Sequence, residues 1–146
     1  MTRLLRLIAT FGIVAILASG CAVNRATSVV DPSTDLSKLK TMYVKKYAED
    51  SRNVNELIVS KLRSKGLNVT TGSEERPKNV DAVVTYVDRW FWDITMYMLE
   101  LTVVIRDADS GYALAQGNSL HTSLTRLSPE EMVNEVINNI YGGTKK

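Results

Sequence analysis

The chain has 146 residues, of which 18 are basic, 16 acidic and one a cysteine. Two of the basic residues, Arg3 and Arg6, fall in an apolar leader, so the rest of the chain carries as many bases as acids. That balance gives no argument for a nucleic-acid partner. A lone cysteine excludes an internal disulfide, and the length beyond the leader suits one domain with one core.

Residues 1–20 combine a positive start, an apolar run from 7 to 17 and the small residues Ala18, Ser19 and Gly20. Those are the parts of a secretory signal peptide, and the run is shorter than the ~20 residues a membrane span needs. Residues 21–36 are small and polar with one proline, and read as a tether. A short edge strand at Val29 and Val30 stays open.

A single domain is expected over residues 37–143. Residues 40–47 read as a strand with Met42 and Val44 on one face. Residues 51–65 read as a helix capped by Asp50 or Ser51, with Val54, Leu57, Ile58 and Leu62 as its apolar stripe and Gly66 as its stop. Residues 67–71 form a short strand, and the charged stretch 72–79 a loop. The β-rich run 80–107 is too long for one strand and should fold back between Trp90 and Ile94. In its second half Tyr97, Leu99, Leu101, Val103 and Ile105 alternate with more polar neighbours. Residues 107–111 make a turn, with Gly111 supplying positive φ. The strand over 112–122 places Ala113, Ala115, Gly117 and Ser119 on one side, where a helix can pack close. Ser128, Pro129 and Glu131 spell a helix start with a capping box, and Val133, Val136, Ile137, Ile140 and Tyr141 follow as a buried stripe.

The order strand, helix, strand, strand, strand, helix predicts an α+β two-layer sandwich. Its sheet is mainly antiparallel and both helices lie on one face, because each apolar stripe needs a common surface to cover.

Leu17-Ala18-Ser19-Gly20-Cys21 resembles a bacterial lipobox. The resemblance implies cleavage between Gly20 and Cys21 and a covalent lipid on Cys21, with no other cofactor. The family prefers leucine three places before the cysteine; here Ala18 stands there and Leu17 one place earlier. In Gram-negative lipoproteins an aspartate after the cysteine favours the inner membrane. Ala22 therefore implies the periplasmic face of the outer membrane, with the bilayer reached through the lipid. Residues 35–41, 81–86 and 90–97 are similar to segments of small proteobacterial envelope lipoproteins. The element order is similar to the N-terminal domain of TolB and to lipoprotein activators of peptidoglycan synthases. These likenesses imply a non-catalytic module that binds an envelope protein. A structural subunit of an oligomeric envelope or secretion assembly is the alternative.

Few residues suggest chemistry. His121 is the one histidine, and Ser119 and Ser123 share its side of a strand, which makes a hydrolase the weakest reading because neither an acid nor an exposed nucleophile is recognisable. No metal-ligand spacing or phosphate loop is present. The run Trp90-Phe91-Trp92 cannot face one side of a strand, so part of it should be exposed. With Met96 and Met98 it forms the expected partner surface, set against the simpler reading that these rings cap the core at a hairpin end.

Overall fold

A computed structural model describes residues 24–142. The expected signal peptide, its cleavage between Gly20 and Cys21, and the lipid on Cys21 lie outside the described residues. The elements are β1 (Asn24–Val30), β2 (Thr41–Lys45), α1 (Val54–Ser64), β3 (Asn68–Gly72), β4 (Ala82–Asp93), β5 (Thr95–Asp107), β6 (Ala113–His121) and α2 (Pro129–Gly142). Short 3-10 turns occupy Leu36–Lys38 and Ser123–Thr125. Among the described residues no helix is long and apolar enough to cross a membrane.

The strands form one six-stranded sheet in the order β1-β6-β5-β4-β2-β3. The neighbours from β1 to β4 are antiparallel, whereas β2 runs parallel to both β3 and β4. The parallel pairs follow from the connections: α1 carries the chain from β2 back to start β3, and the loop after β3 carries it back again to start β4. Met42, Val44, Ala82, Val84, Leu101, Val103, Ile105 and Ala115 line the inner face, and α1 and α2 cover them side by side. This is the expected two-layer sandwich.

Three local features explain why the layers meet closely. Gly117 lies under α2, where a Cβ would come within 2.8 Å of Val136 Cγ1 and 3.0 Å of Ile140 Cγ1. The glycine therefore sets how near the helix can approach. The capping box at α2 is complete: Ser128 Oγ accepts from the Glu131 amide at 3.2 Å, and the Glu131 carboxylate accepts from the Ser128 amide at 2.8 Å. These bonds satisfy orphan donors of the first turn, and the amide and hydroxyl of Ser128, both donating to the Glu131 carboxylate, hold that carboxyl below its ordinary range. At the other helix, Gly66 takes φ +86° and the Leu67 amide reaches back to the Leu62 carbonyl, the expected left-handed stop.

Two expectations are corrected. The tether expected to run to residue 36 gives way to strand from Asn24, which pairs with His121, through Val30, which pairs with Ala115. Its first five residues are small or polar and mostly exposed, so only Val29 and Val30 hint at a strand; the open edge of β6 decides the conformation of the rest. Helix α1 begins at Val54, later than expected, because Asn53 turns into the left-handed region at φ 57°. Asp50 still serves the first turn from a distance by accepting from the Arg52 amide at 2.9 Å and the Asn55 amide at 3.2 Å.

Candidate functional site

The β4–β5 hairpin extends past the helices and carries the aromatic run. Its ladder breaks once: Arg89 pairs with Glu100, but Trp90 pairs with Met98, so Leu99 is an extra residue opposite the Arg89–Trp90 step. A bulge of this kind exchanges the two faces of a strand beyond it. Met98 therefore points inward with Leu101 and is 1% exposed. It belongs to the core, which removes it from the expected partner surface and corrects the alternation that had placed Leu99 inside. Trp90 is half-buried against the core; its indole N–H donates to Asp88 at 2.6 Å, and the Arg52 guanidinium lies 4.2 Å above its ring.

The remaining three residues stay in the open. Trp92 is 67% exposed and pairs with the exposed Met96 on the helix side of the hairpin. Phe91 projects from the other side and meets Tyr97 edge to face at 6.1 Å. The reversal is at Ile94, which is 85% exposed and held at φ 61°. A β-branched residue in the left-handed region costs about 1–2 kcal/mol, and asparagine or glycine would fit the turn without it. Turn formation alone thus gives no reason for isoleucine. The sequence showed a reversal here but no sign that Ile94 would be its apex.

A second segment braces the tip. Arg126 donates to the Asp93 carbonyl at 2.8 Å and to Thr95 Oγ1 at 2.7 Å, and its guanidinium stacks 4.3 Å from the Tyr97 ring centre. Ser123 donates to the Asp93 carboxylate. Leu124, between these anchors, is 78% exposed beside the hairpin. Flanked by Ser123 and Thr125, it carries no pattern by which the sequence could have singled it out.

His121 lies at the end of β6, buried under α2. Its Nε2 faces the Glu135 carboxylate at 2.8 Å and its Nδ1 the Thr125 carbonyl at 2.9 Å. Glu135 supplies the acid that the sequence did not reveal, from a helix 14 residues further along. The arrangement differs from a nucleophilic triad, however. The Ser119 hydroxyl is fully buried and donates to the same Glu135 oxygen at 2.6 Å, away from the imidazole. Ser123 is engaged by Asp93 and Arg126. The geometry pins α2 to β6 and presents neither serine to a substrate. Among the described residues no group of three or more His, Cys, Asp or Glu side chains comes together to hold a metal.

No protein-family model matches the chain, and no curated protein sequence matches it. Solved structures do share its fold. A PelC dodecamer from Paraburkholderia phytofirmans superposes with a TM-score of 0.59 at 15% identity, covering 81% of this chain and 97% of that one. A PDZ domain protein from Parabacteroides distasonis gives 0.56 at 14% identity, over 90% of this chain and 39% of that one. TolB from Acinetobacter baumannii superposes less well, at 0.46 and 13% identity over 82% of this chain and 31% of that one. At these identities what is shared is the fold.

Proposed function

We propose that the chain is a lipoprotein of the cell envelope, held through Cys21 on the periplasmic face of the outer membrane, where it serves as a non-catalytic protein-binding module. The observation that carries the protein-binding part is the one-sided cover of the sheet. Both helices pack on one face; the opposite face is covered only locally, by the loop after β3 over Tyr43 and by Arg126 over Tyr97, and among the described residues no strand pairs with the outer edge of β1. The two edges differ. At β3 the Arg63 guanidinium occupies the Val69 carbonyl with bonds of 3.0 and 2.6 Å, which blunts that edge. At β1, Val29 is exposed, and among the described residues no arginine occupies the edge in the same way. An edge strand of this kind is a template for β-augmentation by a partner segment.

The same edge favours a second reading, a structural subunit built from copies of this chain. Its fold is like that of PelC, which crystallised as a dodecamer. A photo-crosslinking residue in place of Val29 in the full-length protein, irradiated in cells, distinguishes the readings. Adducts with a different envelope protein are expected for the binding module, and ladders of the chain itself for the subunit. Absence of both adducts would contradict an interface at β1.

A further inference from the structure

We infer that the β4–β5 hairpin tip, with Leu124 beside it, is a second membrane contact that seats itself in the headgroup layer of the bilayer to which Cys21 is attached. The inference rests on the lipid-anchor reading above and adds an orientation to it.

The register supplies the first argument. Asn24 pairs with His121, the preceding Leu120 pairs with Glu100, and Glu100 pairs with Arg89. The start of β1 is therefore level with the Arg89–Trp90 step of β4, opposite the bulge at Leu99. From there the hairpin runs four more residues to Ile94, about 13 Å at ~3.3 Å per residue. Cys21 precedes Asn24 by three residues, at most about 10 Å of chain. The chain thus enters β1 from the end of the sheet at which the hairpin projects, and three residues are long enough to span a comparable height. Lipid at Cys21 would bring the tip to the bilayer surface.

The chemistry of the tip supplies the second. Five of the eight exposed large apolar side chains among the described residues cluster at this end: Phe91, Trp92, Ile94, Met96 and Leu124. They stand on both faces of the hairpin and at its apex. That distribution suits end-on entry into a soft layer better than docking against one flat protein surface. Tryptophan and tyrosine favour the headgroup level, where an apolar ring body meets a polar rim. The one carboxylate in the tip, Asp93, is engaged by Ser123 and Arg126 and so presents no unpaired anion to lipid phosphates. The bracing by Arg126 keeps the apolar cluster projecting when it meets solvent. The left-handed Ile94 fits the same reading, because an apolar side chain at the apex is what a lipid-seated turn requires.

The chain contains two tryptophans, so Trp90→Phe leaves Trp92 as the sole indole. That variant, purified from membranes as the full processed protein, is placed in vesicles of phosphatidylethanolamine and phosphatidylglycerol with or without brominated acyl chains. Trp92 emission is expected to fall to about half in the brominated vesicles, and adding Ile94→Asp should restore most of it. Equal emission in both vesicle types would overturn the contact, and so would quenching that Ile94→Asp leaves unchanged. The mass of Cys21 is measured on the same sample. Acylated Cys21 with unquenched Trp92 would overturn the tip contact and leave the anchor standing. Unmodified Cys21 with quenched Trp92 would overturn the anchor and support a tip that binds lipid by itself.

Discussion

Gly117→Val is expected to lower the stability of the folded chain by about 1–3 kcal/mol, the range for forcing volume into a filled core. A Cβ at this position would lie 2.8 Å from Val136 Cγ1, with two atoms of Ile140 at 3.0 and 3.1 Å, and both residues are fully buried. The added branches of valine make the conflict worse. Neither helix residue can swing into solvent, so relief requires α2 to lift from β6. That movement would stretch the bonds from Glu135 to Ser119 and His121. Urea denaturation followed by far-UV circular dichroism measures the loss. Gly117→Ala should fall between wild type and valine. A wild-type midpoint for valine would mean that α2 does not press on β6 as described.

Asp50→Ala should cost about 2–3 kcal/mol at neutral pH, because it strands buried donors. Tyr86 Oη donates to Asp50 at 2.6 Å, and the amides of Arg52 and Asn55 donate to it at 2.9 and 3.2 Å. Burial alone would raise the Asp50 carboxyl, but the bonds from Tyr86 and from these amides outweigh it and hold the group below its ordinary 3.8. Burial, and after it the same contact, push the Tyr86 phenol well above its ordinary range. Since the folded state favours the ionised carboxylate, its contribution is complete above pH 3.8 and is lost as the pH falls through the lower folded value. The stability gap between wild type and Asp50→Ala is therefore expected to be constant from neutral pH down to about pH 4 and to narrow below it. A gap that widens on acidification would contradict this assignment.

Legibility in the sequence followed the range of the interactions. The start of α2 could be read because its capping box is written within four residues. The stop at Gly66 and the close approach at Gly117 could be read because a glycine or a run of small residues stands in register with an apolar stripe. The inward place of Met98 could not, since a bulge at Leu99 shifts the phase and nothing nearby marks it. Strand β1 was only half legible: Val29 and Val30 left an edge strand open, but the polar start from Asn24 gave no sign of it, because its partner is far along the chain. Glu135 became a partner of His121 only when α2 packed across β6. The candidate site divided in the same way. The aromatic run showed that something near the hairpin end must be exposed, but which rings stay out depends on the bulge, on Arg52 and on the Arg126 brace.

The location of the protein and the orientation of its tip both depend on what is attached to one thiol. Cells grown with labelled palmitate should yield a marked protein that fractionates with the outer membrane. Cys21→Ser should abolish the label and leave the leader uncleaved. An unmarked wild-type protein, or a serine variant that is processed and fractionates unchanged, would contradict the account.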